Sequence, residues 1–319
     1  MILKKVHSIF AKTVYARAEE LPYIFLFSHK DFEGLNQSSF DVESSLGHTL
    51  KGYFYYYDNP KSDKIIVFDH GMFGGHRSYM KEIEMLARGG YLVYAYDHTG
   101  CMESGGSGTN GFAQSLRDLD EVISELKKLD RIKGREINVV GHSWGAFSTL
   151  NIVRFHPDIK KIVPISGFIS PRDIIYQYFG GFLRIFAKGI YKIELANNPV
   201  YMECSAIDTL KSSDVKALIF HSPNDHMVSY KKHFLKLQRS LDNKTDIEFV
   251  TVEGGKHNPN YTLNALVEKS KFQSKMNALL KKGKLSTDEE HKAFKKSFDW
   301  DKITEQNLEV WDKIYKFLA

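Results

Sequence analysis

The chain has 319 residues, enough for a sizeable core, and 42% of them are hydrophobic while 26% are charged. This is the composition of a folded globular protein and excludes a disordered chain. The net charge of +5 is small for this length and no RNA or DNA motif is present, so we expect no nucleic acid partner.

The sequence has two cysteines, and its first residues do not have the pattern of a targeting signal. Cys101 and Cys204 are too few for a secreted disulfide framework, and their spacing matches no metal site. The first 20 residues are interrupted by charges and lack the apolar run and cleavage site of a signal peptide. No segment reaches the roughly 18 consecutive apolar residues of a membrane span. We therefore expect a cytoplasmic protein.

Short apolar runs alternate with helical patterns along the chain. The runs predict strands at 51–57, 65–68, 91–96, 137–140, 162–165, 217–220 and 247–252. Helices are predicted at 79–88, 114–130 and 146–156. This alternation predicts the α/β fold class, a doubly wound, mostly parallel β-sheet with helices on both faces. We expect one domain over 1–319, because no repeat or linker divides the chain.

An aromatic segment departs from this alternation. Seven aromatic residues fall between Phe168 and Tyr191, and Ser170-Pro171 predicts a helix with Ser at the N-cap and Pro at the first position. We interpret 168–205 as an insertion. It is either an apolar lid over a pocket or a helix packed on the body as core.

A second insertion is predicted at 260–300. Its leucines recur at helical spacing, and Ser286-Thr287-Asp288-Glu289 predicts a capping box, so we expect a helical hairpin. Between Glu268 and Lys296 there are nine Lys against four acidic residues. Such a surface is either a solvated face or a site of contact with an anionic or lipid surface.

The pentapeptide Gly141-His142-Ser143-Trp144-Gly145 lies directly between a predicted strand and a predicted helix. A glycine on each side allows a turn sharp enough to hold Ser143 at its apex, which is how a serine nucleophile is presented. The pattern itself is common by chance, and its place between strand and helix makes it informative.

The partners that a nucleophilic serine needs are found at other strand ends. Asp225 lies in a turn just after the strand 217–220, and His257 lies on a Gly-rich loop after the strand 247–252. We expect Asp225 to orient His257 and His257 to act as the base for Ser143. Two backbone N–H groups are expected to face the developing oxyanion, those of Met72 and Trp144.

With these motifs in place, the chain resembles the α/β-hydrolase superfamily, and within it the bacterial branch similar to monoacylglycerol lipases and serine-aminopeptidase-like hydrolases. The resemblance covers about 51–257. The motifs that carry it are His70-Gly71, Asp97 to Gly100 with Ser104, Gly141 to Gly145, Asp225 to Val228, and His257. The order Ser143, Asp225, His257 is the one described for this fold. The resemblance implies hydrolysis of an ester, thioester or amide through an acyl-enzyme, with no cofactor and no metal.

Other reactive side chains near these motifs are not expected to take part in catalysis. His70 and His142 are expected to make structural hydrogen bonds, and His226 to be a bystander beside Asp225. Cys101, on what reads as a polar loop, lacks the strand–turn–helix setting of a nucleophile. Asp97 is expected to form a turn.

The function predicted is a serine hydrolase of the esterase or lipase type, acting on a small-molecule acyl or aryl ester. A peptide substrate would call for a carboxylate to hold its free amine, and the sequence locates none. Three alternatives stay open: a peptidase or an acyltransferase that uses the same triad, and a non-catalytic binding protein that has the hydrolase fold.

Overall fold

The computed structural model describes residues 8, 10, 12–58, 60, 62–179 and 184–319. Phe182, one of the seven aromatic residues singled out above, and most of the first 11 residues lie outside this part of the chain. None of the helices that are described is long and apolar enough to cross a membrane.

Most strands of the described chain join one sheet. The strands are β1 (Asn36–Ser39), β2 (Val42–Glu43), β3 (Thr49–Leu50), β4 (Gly52–Tyr56), β5 (Ile65–Asp69), β6 (Leu92–Tyr96), β7 (Ile137–His142), β8 (Lys161–Ile165), β9 (Lys216–His221) and β10 (Ile247–Thr251). The main sheet has eight strands in the order β1-β4-β6-β5-β7-β8-β9-β10. From β6 to β10 the neighbours are parallel, while β1 and β4 are antiparallel.

Helices follow most of the parallel strands. They are α1 (Met80–Arg88), α2 (Gln114–Leu126), α3 (Trp144–Asn151), α4 (Pro171–Tyr178), α5 (Arg184–Asn197), α6 (Pro199–Met202), α7 (Ala206–Lys211), α8 (Phe234–Ser240), α9 (Leu263–Lys281), α10 (Asp288–Lys296), α11 (Trp300–Ile303) and α12 (Leu308–Leu318). This confirms the predicted doubly wound, mostly parallel α/β sheet.

Both faces of the sheet are buried, as the continuous apolar strands require. Successive side chains of β5 point to opposite faces. Ile65 and Val67 join the larger core cluster, to which α2 and α3 contribute. Ile66 and Phe68 join the other cluster, under α1 and α12. The central strands are therefore fixed from two sides, and the loops at their carboxyl ends are held on a rigid base.

Ionisable side chains are buried beneath the turn that carries Ser143. The His98 imidazole lies between two carboxylates, with Nε2 2.6 Å from Asp69 Oδ1 and Nδ1 3.2 Å from Asp118 Oδ2. Burial by itself would lower the pKa of His98, but the two carboxylates raise it to about 9. His98 is therefore a cation at neutral pH. Asp69 Oδ2 also accepts a hydrogen bond from Ser148 Oγ at 2.5 Å, which ties α3 to β5.

Three details differ from the sequence predictions. The edge strand β1 was not predicted, because its residues Asn-Gln-Ser-Ser have no apolar alternation and it is held by backbone pairing with β4. The short hairpin of β2 and β3 was also missed. The N-cap of α10 is Thr287 and not Ser286, and its side chain accepts from the Glu290 N–H at 3.2 Å. A hydroxyl residue stands three positions before a glutamate twice in this stretch, as Ser286 before Glu289 and as Thr287 before Glu290. The spacing therefore does not decide which of the two hydroxyl residues is the N-cap.

The segment after His257 contains the predicted helical hairpin, α9 and α10. A small core of its own joins these two helices, built on residues such as Phe272, Met276 and Phe294. Tyr23, from the N-terminal segment, completes it. The hairpin is therefore a packed part of the molecule, and its first helix lies next to the site described below.

Candidate active site

Ser143 occupies the turn between β7 and α3 with φ +57° and ψ −109°. This backbone conformation is rare for a residue with a side chain and marks local strain that the surroundings must hold in place. The Ser143 N–H donates to the Ile165 carbonyl at 2.8 Å, which anchors the turn to β8. The turn is the sharp strand-to-helix geometry that the pentapeptide predicted.

The two glycines of the pentapeptide are required by close backbone approach. A Cβ at Gly145 would overlap the carbonyl oxygen of Asp69, and a Cβ at Gly141 would overlap the backbone of Gly145. A side chain at Gly141 would therefore push β7 away from α3, and one at Gly145 would push α3 away from β5. Both glycines keep the turn tight, and that places Ser143 at the carboxyl end of the sheet.

Ser143, His257 and Asp225 lie in one chain of hydrogen bonds. His257 Nδ1 is 2.8 Å from Asp225 Oδ2, and His257 Nε2 is 2.8 Å from Ser143 Oγ. A carboxylate only accepts, so Nδ1 carries the proton and Nε2 is left to accept from the serine hydroxyl. The structure thus brings together three side chains that are up to 114 positions apart in the sequence.

Asp225 is held in place by more than His257. Its Oδ1 accepts the N–H groups of Met227 at 2.8 Å and Val228 at 3.0 Å. Burial would raise the pKa of Asp225, but hydrogen bonds from His221 and His257, and the charges of both rings, hold it well below its ordinary value. The carboxylate therefore stays ionised although its side chain is fully buried.

His221 is a site residue that the sequence analysis missed. It ends β9, and its Nε2 lies 3.2 Å from Asp225 Oδ2 and 2.9 Å from the Val228 carbonyl oxygen. Since a carbonyl only accepts, this nitrogen carries the proton. His221 therefore fixes both the carboxylate and its turn. The signal available in the sequence was its position at the strand end, four residues before Asp225.

The two proposed oxyanion donors line the same cavity as Ser143. Met72 lies in the loop after β5, and Trp144 is the first residue of α3. N–H groups in the first turn of a helix have no intrahelical acceptor and lie at its positive end. The Trp144 indole is occupied elsewhere, because its Nε1 donates to the Phe112 carbonyl at 2.7 Å.

A second chain of hydrogen bonds joins the loop of Met72 to the loop of His257. The Gly71 N–H donates to Tyr79 Oη at 3.2 Å, and Tyr79 donates to His142 Nδ1 at 2.9 Å. His142 Nε2 then donates to the His257 carbonyl at 2.7 Å. Burial, with the nearby His257, lowers the pKa of His142 to about 3, so this ring is neutral. His142 makes structural hydrogen bonds as predicted, and Tyr79 was missed.

The other reactive residues hold the framework. His70 Nδ1 donates to the Gly71 carbonyl and its Nε2 accepts from the His98 N–H, as expected of a structural histidine. Asp97 is buried and accepts from the backbone and the ring of His76. His226 is exposed. Cys101 corrects the expectation of a polar loop, since it is fully buried and burial raises the pKa of its thiol.

The site opens into a cavity of about 800 Å³. Part of its wall is apolar and aromatic, made by Phe112, Phe168, Ile174 and Phe179. The predicted helix start is confirmed, because Ser170 caps α4 by accepting the Asp173 N–H and Pro171 is at the first position. Segment 168–205 therefore contributes to the cavity through α4 and Phe179. That it acts as a lid stays a prediction.

Helix α4 is fastened to the turn that carries the acid. Gln177 Nε2 and Tyr178 Oη both donate to the Met227 carbonyl, at 2.8 and 2.9 Å. Gln177 Oε1 accepts the Ser229 N–H at 2.8 Å. The wall of the cavity and the Asp225 turn therefore form one hydrogen-bonded unit.

Comparison with known proteins agrees with this geometry. A family model described as serine aminopeptidase, S33, matches residues 60–211, which include the turn of Ser143. The esterase Pf2001 of Pyrococcus furiosus has the same fold, with a TM-score of 0.58 at 20% identity over 81% of this chain and 96% of that one. This chain has the α/β-hydrolase fold.

Relatives found by sequence match part of this chain. The proline iminopeptidase of Clostridioides difficile is 32% identical over 127 residues, which are 38% of this chain and 42% of that protein. The uncharacterised protein YqkD of Bacillus subtilis is 30% identical over 122 residues, or 39% of its length. The chain therefore matches about two fifths of these relatives. Est1E of Butyrivibrio proteoclasticus, solved with ferulic acid, shares the fold with a TM-score of 0.54 at 19% identity, over 75% of this chain and 99% of that one.

The described part of the chain holds no group of three or more His, Cys, Asp or Glu side chains arranged for a metal ion. The polar groups that meet in the cavity beside Ser143 include a hydroxyl, an imidazole and backbone N–H groups.

Proposed function

We propose that this protein is a serine hydrolase that cleaves a carboxylic ester through an acyl-enzyme. The observation that carries the proposal is the contact chain from Ser143 Oγ through His257 to Asp225, with both distances at 2.8 Å. Separations of about 2.6 to 3.2 Å are what proton transfer between a nucleophile and its base requires.

The reaction proceeds in two halves. Ser143 Oγ attacks the acyl carbon while its proton passes to His257 Nε2, and the N–H groups of Met72 and Trp144 stabilise the oxyanion. The bond to the leaving oxygen then breaks, and that oxygen takes the proton from His257. Water attacks the acyl-serine in the second half, again through His257, and the acid is released. Asp225 keeps the imidazole in the required tautomer throughout.

The cavity favours an ester over a peptide with a free amino terminus. An α-ammonium group needs a carboxylate or other acceptor, and no Asp or Glu is found among the described residues that line the cavity. Its aromatic wall suits an apolar acyl or aryl group. The serine aminopeptidase model and the proline iminopeptidase relative keep a peptidase as the second candidate.

Acyl transfer to an alcohol or amine would use the same triad, and product analysis with an added nucleophile distinguishes it from hydrolysis. A binding protein with this fold has no need for an aligned Ser143, His257 and Asp225. The complete contact chain therefore supports an enzyme.

Labelling with a fluorophosphonate probe tests the activated serine without knowledge of the substrate. We expect the wild-type protein to be labelled at Ser143, located by peptide mapping, and the Ser143→Ala variant to stay unlabelled. The reason is that only a serine whose proton can pass to a base attacks phosphorus readily. A folded wild-type protein that is not labelled would contradict the proposed function.

A pair of chromogenic substrates separates the two candidate activities. We expect 4-nitrophenyl butyrate to be cleaved at least 10²-fold more efficiently, in kcat/KM, than the 4-nitroanilide of proline, because no Asp or Glu among the described lining residues can hold the prolyl amine. Efficient release of nitroaniline, with slow ester cleavage, would establish the peptidase instead. Ser143→Ala serves as the control for non-enzymatic hydrolysis of the ester.

A further inference from the structure

The cavity contains a cation that the proposed reaction does not use. Lys269, from helix α9, is the one Lys, Arg, Asp or Glu among the described residues that line the cavity. Helix α9 belongs to the segment after His257, so this charge comes from the predicted insertion and not from the strand-end loops that carry the triad.

No carboxylate neutralises this ammonium group. Within the described chain Lys269 forms no ion pair; its Nζ lies 3.5 Å from Asn258 Oδ1 and 4.7 Å from the centre of the Tyr261 ring. Burial lowers the pKa of Lys269, while the more distant Glu82 raises it. An amide oxygen and an aromatic face are weak partners for a desolvated cation.

The acid whose charge acts on Lys269 is Glu82, which forms no ion pair with it. Glu82 is buried, its Oε1 accepts from Asn260 Nδ2 at 3.0 Å, and burial raises the pKa of its carboxyl. The other titratable group in the field of Lys269 is His142, whose pKa is lowered in part by this cation. His142 is neutral and hydrogen-bonded on both nitrogens. Lys269 therefore lines the cavity without an ion-pair partner among the described residues.

The position of Lys269 relative to His257 indicates which part of the substrate it meets. The base returns its proton to the leaving oxygen, so the leaving group lies on the side of His257. Asn258 directly follows His257, and Lys269 Nζ is next to Asn258. The aromatic residues Phe112, Phe168 and Phe179 form a separate part of the wall, which is left for the acyl group.

We propose that Lys269, with Asn258 beside it, is a binding subsite for an anionic group, a carboxylate, on the leaving alcohol of the ester. This inference rests on the proposed function. It narrows the substrate class to esters that have a neutral apolar acyl group and a leaving alcohol that carries a carboxylate.

Two matched esters test the subsite, 4-carboxyphenyl butyrate and the neutral 4-carbamoylphenyl butyrate. We expect the ratio of their kcat/KM values, carboxylate over carboxamide, to fall about tenfold in Lys269→Met, because one charge-assisted hydrogen bond is lost. Lys269→Arg should keep most of the ratio. Lys271→Met is the matched control, since Lys271 is on the same helix, exposed and paired with Glu268, and should leave the ratio as in the wild type.

A second measurement does not depend on turnover of either ester. The released leaving groups, 4-hydroxybenzoate and 4-hydroxybenzamide, are compared as protectors of Ser143 against the fluorophosphonate. We expect 4-hydroxybenzoate to protect better in the wild type and to lose that advantage in Lys269→Met. If the kcat/KM ratio of the two esters and the protection of Ser143 by 4-hydroxybenzoate were the same in the wild type and in Lys269→Met, the subsite would be wrong. The proposed hydrolase activity would not be affected by that result. Absence of labelling at Ser143, with neither ester cleaved, would overturn the hydrolase itself.

Discussion

Replacing His257 with Ala is expected to lower kcat/KM for 4-nitrophenyl butyrate by on the order of 10⁴ to 10⁶. His257 accepts the proton of Ser143 and returns it to the leaving oxygen, so its loss removes both transfers at once. Its ring contacts Ser143 Oγ and Asp225 Oδ2, each at 2.8 Å, and no other imidazole nitrogen in the described site is free to replace it. His142 is the nearest ring, but both of its nitrogens are engaged.

A neighbouring histidine provides the control for that variant. His226 is exposed and directly follows Asp225, so His226→Ala should retain nearly the full rate. Thermal unfolding of both variants, followed by circular dichroism, verifies that they are folded. If His257→Ala were to hydrolyse the ester at close to the wild-type rate, the assignment of the base would be wrong.

Asp225→Asn is expected to lower kcat/KM by roughly 10⁴. Asp225 offers two oxygens, one to backbone N–H groups and one to His257 with His221. An amide has one accepting oxygen, and the two backbone N–H groups will hold it. The amide NH₂ then faces His257 Nδ1, which must accept, so the ring proton moves to Nε2 and blocks the transfer from Ser143.

The exposed Asp242 gives a matched substitution, Asp242→Asn, that changes the net charge equally and should leave the rate unchanged. The fluorophosphonate rate at Ser143 is a second readout, and it should fall in parallel with ester cleavage in Asp225→Asn. A loss of less than tenfold in a folded variant would show that Asp225 does not set the tautomer.

Much of the sheet could be predicted because its strands are buried on both faces. Strands β5 to β9 are mostly apolar runs, whereas β10 also contains the exposed Glu248 and Thr251. The predicted limits of all six strands differ from the observed ones by at most two residues. The edge strand β1 could not be found in this way, since its polar residues carry no burial signal. Helix 146–156 was placed too late by two residues at its start, because α3 begins at Trp144 inside the glycine-flanked turn.

The site was predictable where a motif or a strand end marked a residue. Ser143, Asp225 and His257 follow strands β7, β9 and β10, whose carboxyl ends meet at one edge of the sheet. Tyr79 and Lys269 act through contacts between distant parts of the chain, whereas His221 contacts the nearby Asp225 but belongs to no motif. Lys269 in particular appeared as one of nine lysines in a charged segment, and its place in the cavity depends on how α9 packs.

The hydrogen bonds between α4 and the turn of Asp225 link access to the cavity with the alignment of Ser143, His257 and Asp225. The Met227 carbonyl receives Gln177 and Tyr178 from α4, while the Met227 N–H binds Asp225. A swing of α4 away from the cavity would break those bonds at the residue that also orients the carboxylate. If α4 opened the cavity in this way, the Asp225 carboxylate would lose part of what orients it, and substrate entering on that side would meet an aligned triad only after α4 had returned.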